Sequence, residues 1–219
     1  GETRVVMAIG EYRMGDNDTR ADAKRIALQD AKRLALEKAG TLLESVTEVK
    51  NFQLTRDEIQ AYTAGIIEVT EHRTRAELQG ETTVIFVDVA ATVDMNVLAR
   101  QIGNLRRNEN ASVELVSYRQ ETERLRQALE AKTHELAAVK SKAEVEPLVR
   151  ERQQVMNQVD VQQLLAQAWV ALAGDRYQMD VGTSTPEGRT RAKNLTKQVL
   201  SLDPNSAKAY RLDGLILYE

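Results

Sequence analysis

Five alanines recur at intervals of four residues early in the chain, and this spacing constrains the fold more than any other feature. They are Ala23, Ala27, Ala31, Ala35 and Ala39. Because residues four apart share one face of an α-helix, the spacing predicts a helix with a narrow and smooth face. Small side chains there let the helix lie close against a sheet or another helix. The alternative is that alanine only fills a helix for which it has a high propensity.

Strand and capping patterns flank this helix. An apolar run at residues 5–9 predicts a strand, and a polar turn at residues 15–18 ends it. Thr19 and Asp22 have the spacing of a capping box, which predicts the start of the alanine helix. Beyond the helix, residues 45–54 carry no regular pattern and are predicted to be extended or irregular.

The next segment predicts a short helix and a hairpin. Thr55 and Glu58 repeat the capping pattern, and Gly65 is expected to end the helix that follows. Two strands at residues 66–78 and 82–93 are joined by a turn in which Gly80 can adopt a positive φ. A last short helix is expected from residue 94 to about 106.

Four segments of this region carry a resemblance to a known family. They read EKAG at 37–40, VKNF at 49–52, TAGIIEV at 63–69 and ATVD at 91–94. Together with the alanine-spaced helix and the hairpin, they resemble the amino-terminal domain of flagellar assembly protein T and related small envelope lipoproteins. The resemblance implies a compact α/β domain on the outer side of the inner membrane, used in ring or envelope assembly rather than in catalysis. It does not imply flagellar function, because the second half of the chain follows a different pattern.

A heptad pattern begins near residue 111 and predicts one helix over residues 111–146. Its seam positions are Leu115, Tyr118, Thr122, Leu125, Leu129, Lys132, Leu136, Val139 and Ala143. Thr122 and Lys132 are polar and would help to fix the register. The seam can pair with a second chain or fold back on a helix that starts near Pro147. The candidates for self-association are the apolar and aromatic members Leu115, Tyr118, Leu125, Leu129, Leu136 and Val139.

The last third of the chain resembles a tetratricopeptide repeat. The matching core positions are Trp169, Leu172, Ala192, Val199 and Pro204, with Tyr210 and Gly214 at the opening of a further repeat. Trp169 and Pro204 are 35 residues apart, where the repeat expects about 28, so an insertion is placed at residues 179–188.

The resemblance covers roughly one and a half repeats, and Ala173 stands where glycine is usual. Such a partial array must pack its exposed end, at residues 215–217, on another part of the chain, another subunit or further repeats. The resemblance implies a concave surface for a peptide; plain helical packing is the alternative.

Charge and composition exclude several function classes. The net charge is −3 with both signs mixed, so nucleic acid is not an expected partner. The densest basic group, Arg100, Arg106 and Arg107, is read as a solvated helix end. There are no cysteines, which excludes disulfides and thiolate chemistry. No apolar run approaches the roughly 20 residues that span a bilayer.

Catalytic and metal-binding patterns are not found in the sequence. Asp16 and Asp18 look like part of a calcium loop, but the further acids are missing, and a turn with a helix cap is favoured. His134 lies on the outer face of the heptad helix, and His72 lies in a strand; both are interpreted as structural or solvated. No phosphate loop, zinc helix or nucleophile elbow occurs, so no cofactor and no metal are expected.

The sequence therefore predicts an α+β protein. A small two-layer α/β domain at residues 1–110 is followed by the heptad helix at 111–146 and a partial tetratricopeptide-like helical domain at 147–219. The expected function is a non-enzymatic scaffold or assembly protein of the bacterial cell envelope, which binds protein partners and possibly itself. Alternatives are a cytosolic peptide-binding or sensory adaptor and, third, a small enzyme.

The start of the chain bears on localisation. It begins with Gly1, Glu2 and Thr3 rather than with methionine. We expect that a signal peptide or lipid anchor has been removed, which would place the protein in the periplasm or at the envelope. A cytoplasmic location stays open.

Overall fold

The computed structural model describes residues 3–173 and 184–218 and has an α+β fold. Its three strands are β1 (Thr3–Arg13), β2 (Thr70–Gln79) and β3 (Thr82–Asp94). Its helices are α1 (Arg20–Glu44), α2 (Thr47–Asn51), α3 (Arg56–Ile66), α4 (Met95–Leu105), α5 (Glu109–Ala138), α6 (Lys142–Ala173), α7 (Pro186–Leu202) and α8 (Ala207–Tyr218). Residues 179–183 of the predicted insertion lie outside the described residues, and residues 186–188 belong to α7.

The strands form one antiparallel sheet with the order β1-β3-β2, and α1 covers one of its faces. The five alanines of the stripe are all buried, which confirms the predicted close packing. Gly10 of β1 marks the closest approach, because a Cβ placed there would lie 2.1 Å from the Ala27 carbonyl oxygen. The hairpin turn is also confirmed, with Gly80 at φ 65°.

Three local predictions in this region are wrong. Residues 45–54 are not irregular throughout, since they contain the short helix α2. Gly65 does not end α3, which continues to Ile66; its missing side chain instead lets α3 approach α6, since a Cβ there would lie 2.6 Å from Cγ2 of Val170. The first hairpin strand starts at Thr70 rather than at residue 66.

The heptad helix is shorter than predicted. It ends at Ala138, and α6 begins at Lys142, so that Pro147 lies in the second turn of α6 rather than at its start. The two helices run antiparallel and pack along their length. Lys132 Nζ lies 2.8 Å from Glu151 Oε2 near the connection, and Trp169 Nε1 donates to Tyr118 Oη over 2.8 Å at the far end.

This hairpin is the fold-back arrangement of the two that the sequence left open. Leu115, Tyr118, Leu125, Leu129 and Leu136 are buried within the chain, whereas Val139 is half-buried beyond the end of α5. The interpretation of these five side chains as a self-association surface is therefore wrong in this fold, because they already pack inside one molecule. The polar seam position Lys132 is satisfied by Glu151.

One apolar core joins all the parts. It extends from Val6 in the sheet to Leu212 in α8 and takes in residues of α1, α3, α4, α5, α6 and α7. α7 lies antiparallel to α6, with Gln158 Nε2 donating to Asp203 Oδ2 at one end and Gly188 against the Ala171 carbonyl at the other. The sheet and the helical stack are thus parts of one packed unit.

Candidate functional site

The outer side of α8 presents exposed apolar and aromatic side chains. Tyr210, Leu215 and Leu217 are exposed, and Leu217 has 77% of its surface in solvent. The opposite side of the helix buries Ala209 and Leu212 in the core. Tyr210 and Leu217 lie on one flank of the helix and Leu215 on the other, because residues two apart point in nearly opposite directions; we refer to the three side chains together as the α8 surface.

Several polar contacts fix α8 in position. Ser206 Oγ accepts a hydrogen bond from the Ala209 amide, which caps the first turn. The Lys208 ammonium lies 4.6 Å from the centre of the Tyr118 ring. Arg211 Nη2 lies 2.8 Å from Glu114 Oε1 of α5. These contacts hold the first half of α8 against α5.

The predicted repeat-core residues divide into two groups. Trp169, Leu172, Ala192 and Val199 are buried in the core. Pro204, Tyr210 and Gly214 are not. A Cβ on Gly214 would meet no atom within 4 Å, so this glycine does not serve a close helix contact. Trp169 also lies near the end of a 32-residue helix rather than in a short repeat helix.

The face of the sheet that α1 leaves uncovered carries a second apolar group. Val5, Met7 and Ile9 of β1 point to this outer face and are exposed by 62%, 58% and 53%. Their neighbours Val6, Ala8 and Gly10 point to α1 and are buried. We call Val5, Met7 and Ile9 the β1 row. The apolar run predicts the strand but not which of its residues stay exposed.

The β2 side of the same face is covered by charged side chains. The Arg75 guanidinium lies 4.4 Å from the centre of the Phe86 ring. Arg73 Nε lies 3.4 Å from Asp88 Oδ2. These long side chains shield β3 from solvent on that side, whereas the β1 row has no such cover.

Two side chains of α1 reach the open edge of β1. Lys38 Nζ donates to the Met7 carbonyl oxygen over 2.8 Å, and the Glu11 amide donates to Asp30 Oδ2 over 3.4 Å. In a strand the amide and carbonyl of one residue point to the same side, and this side alternates along the chain. The odd-numbered residues of β1 therefore direct their peptide groups to the open edge.

Buried charges lie between the first loop and α6, away from both surfaces. Arg152 Nη2 lies 2.7 Å from Asp18 Oδ1, and Tyr12 Oη donates to Asp18 Oδ2 over 2.7 Å. Burial, together with the hydrogen bond to Asp18, raises the pKa of Tyr12 to about 12. The predicted turn and cap are confirmed, since Thr19 accepts from the Asp22 amide and Asp18 binds an arginine.

A polar cleft of about 570 Å³ lies between α1 and α5. Arg126 projects into it, and burial lowers the pKa of this guanidinium to about 10, with the nearby Arg33 and Arg119 acting in the same direction. Glu123 Oε1 lies 3.5 Å from Arg126 Nη1. The cleft thus mixes both signs of charge and contains no nucleophile paired with a base.

The histidines and acids do not assemble a metal site among the residues that the structure describes. His134 is exposed on α5, as predicted, and His72 is exposed at a β-bulge of β2. Of the basic group, Arg106 lies over the Phe52 ring at 4.4 Å. Within the described ranges, we find no helix with the length and apolar character needed to cross a membrane.

Comparisons with protein-family models, with curated proteins and with solved structures gave no match for this chain. The two resemblances drawn from the sequence therefore stay predictions. The α8 surface and the β1 row with its open edge are two places where apolar side chains are exposed.

Proposed function

We propose that the protein is a non-enzymatic scaffold or assembly protein of the bacterial cell envelope, acting through protein–protein contacts. The observation that carries this proposal is the α8 surface. Leu215 and Leu217 are exposed apolar side chains on the last described helix. Such side chains favour a surface that another protein, or further helices of the same array, covers.

The rigid placement of the α8 surface supports the same role. Contacts of Lys208 and Arg211 with α5 hold the helix to the core that also contains the sheet. A partner bound at α8 would therefore be held at a fixed position relative to the β1 row. Fixed geometry between two contact surfaces is what an assembly protein needs.

The envelope location rests on the resemblance of the first half of the chain to flagellar assembly protein T and envelope lipoproteins. A cytosolic peptide-binding or sensory adaptor is the alternative. It is favoured by the small extent of the α8 surface, which consists of three side chains and suits a peptide as well as a folded partner. Fractionation of the source cells with an antibody to the protein distinguishes the two.

Site-specific photo-crosslinking tests the contact itself. A photoreactive phenylalanine analogue replaces Leu217 in the source cells, and His134, which is exposed on α5, is the matched control position. We expect protein adducts from position 217 and none from position 134. Equal labelling at both positions, or none at position 217, would contradict a docking role for α8.

A ligand screen tests the non-enzymatic part of the proposal. Nucleotides, sugars and divalent metals are added to the protein, and its melting temperature is followed. A ligand that binds only the folded protein at 100 times its Kd stabilises it by about 2.7 kcal/mol. We expect no shift, and a reproducible shift with one ligand class would favour the enzyme alternative.

A further inference from the structure

The two edges of the sheet differ in a way that bears on self-association. β2 presents charged residues and a bulge between Glu71 and Arg73, which are typical devices against pairing with another strand. β1 has a six-residue stretch without charge, at residues 5–10, beside the exposed β1 row. An open edge of this kind is a template for another strand.

Two α1 side chains of opposite charge, Lys38 and Asp30, contact this edge at different positions along β1. Lys38 binds the carbonyl of Met7, and Asp30 binds the amide of Glu11. Ile9 lies midway between these two levels. A two-fold axis through Ile9 would thus bring the level of Met7 in one copy to the level of Glu11 in the other.

We infer that a second copy of this chain pairs with β1 in antiparallel orientation about a two-fold axis at Ile9. This rests on the proposed function, an assembly protein that acts through protein–protein contacts, and names a second copy of the chain as one of its partners. Met7 then lies opposite Glu11 of the second copy, and the odd-numbered peptide groups of both strands face each other. The Met7 carbonyl accepts from the Glu11 amide of the second copy, and the reverse bond forms across the axis.

The same register gives the two displaced side chains new partners. The bond from Lys38 to the Met7 carbonyl and the bond from the Glu11 amide to Asp30 are both broken. Lys38 then forms an ion pair with Asp30 of the second copy. Asp30 keeps its contact with Arg33, whose Nη2 lies 2.7 Å from Oδ1. Each of the four polar groups at the edge therefore exchanges one partner for another, and this charge complementarity selects a second copy of the chain as the occupant.

The pairing also extends the apolar row. On the outer face Ile9 of one copy lies beside Ile9 of the other, and the two β1 rows become continuous. A single strand pair is at the low end of interface sizes, below about 800 Å² per partner. We accordingly expect a reversible dimer whose population rises with protein concentration.

A cysteine scan tests the register, since the chain has no cysteine of its own. With Ile9→Cys, the two Cα atoms on the axis would lie about 5.5 Å apart, a distance that a disulfide can bridge. With Met7→Cys, the two sites would lie four residues apart along the strands, about 13 Å, beyond that reach. Under mild oxidation of the full chain, Ile9→Cys should give a covalent dimer and Met7→Cys should not.

Charge reversal tests the exchange of partners. Lys38→Glu alone should weaken the dimer about tenfold or more in sedimentation velocity, because it faces Asp30 of the second copy. Asp30→Lys alone should act in the same way. The double variant restores the pair with the charges exchanged, and the dimer should return.

Three outcomes would overturn the inference. They are a chain that stays monomeric at its highest soluble concentration without an Ile9→Cys crosslink, a crosslink through Met7→Cys instead, and a dimer that the charge variants do not change. Binding of a foreign strand at β1 by a chain that does not dimerise counts against it too. Because photo-crosslinking at position 217 is measured separately, failure of this inference is distinguishable from failure of the proposed function.

Discussion

Arg152 of α6 and Asp18 of the loop before α1 form an ion pair of 2.7 Å whose side chains are 0% and 4% exposed. The two residues are 134 positions apart in the chain. Tyr12 completes the group, since its hydroxyl donates to Asp18 and accepts from Arg152 Nη1 over 3.1 Å. The pair therefore links the sheet layer to the helical hairpin through buried charge.

Arg152→Met should destabilise the protein by about 3–5 kcal/mol. The loss arises because the buried Asp18 carboxylate is left without its cation, and Asp22, whose Oδ2 lies 3.8 Å from Arg152 Nη2, loses the same cation. Arg150→Met is the control, since its contact with Glu146 lies on the surface. Urea unfolding at pH 7 measures both, and a similar small effect for the two variants would show that the buried pair contributes little.

The raised pKa of Tyr12 predicts that the free energy of unfolding depends on pH in the alkaline range. Its pKa is raised from 10 to about 12 in the folded protein, so the neutral phenol is favoured by folding. Below pH 10 the Tyr12 phenol is protonated in both the folded and the unfolded state, and its contribution to the free energy of unfolding is fully present. Between pH 10 and 12 the phenol ionises in the unfolded chain but not in the folded protein, so this contribution is lost as the pH rises.

Comparison with Tyr12→Phe isolates this effect, because the other tyrosines titrate in both proteins. Tyr12→Phe should be less stable than the wild type at pH 8, and the gap should narrow above pH 10. Chemical unfolding at several pH values gives the two curves. A constant gap across this range would mean that Tyr12 titrates normally.

Gly10→Ala should destabilise the sheet layer by at least about 1–3 kcal/mol. The new methyl group would lie 2.1 Å from the Ala27 carbonyl and 2.8 Å from the Ala31 Cβ, which forces α1 away from the sheet. Ala31→Leu should act similarly from the other side of this contact.

Gly214→Ala is the matched control for Gly10→Ala. This glycine lies within α8, and an added Cβ meets no atom within 4 Å. Alanine there should stabilise the protein by about 0.5–1 kcal/mol through helix propensity. Thermal unfolding shows whether each variant lowers or raises the stability. If both variants destabilise the protein to the same extent, the close packing of Gly10 against α1 is not the cause.

Local patterns in the sequence predicted most elements of the first region, although the short helix α2 was missed. Thr19 caps α1, Thr55 caps α3 and the alanine stripe lies along α1, so that each of these signals is contained in a single stretch of sequence. The β1 row was missed although a signal existed. Met7 and Ile9 alternate with the smaller Ala8 and Gly10, and only the smaller pair fits against an alanine face.

Contacts between distant segments could not be predicted in the same way. A heptad seam has one period whether its partner is another chain or the next helix, so Leu125 and Leu129 did not distinguish the two. The end of α5 at Ala138 lacks an adjacent glycine or proline to mark it. The pairing of Arg152 with Asp18 depends on the tertiary fold alone.

Trp169→Phe should loosen the end of the α5–α6 hairpin that lies near α8. The buried indole Nε1 donates to Tyr118 Oη over 2.8 Å. Phenylalanine removes this donor from the Tyr118 hydroxyl and, because it is smaller than tryptophan, also leaves a small cavity. We expect a loss of about 1–3 kcal/mol in urea unfolding. A double-mutant cycle with Tyr118→Phe should give a coupling of about 0.5–3 kcal/mol, since the double variant removes both polar partners together. Strictly additive losses would show that the hydrogen bond between Trp169 and Tyr118 makes no net contribution to stability.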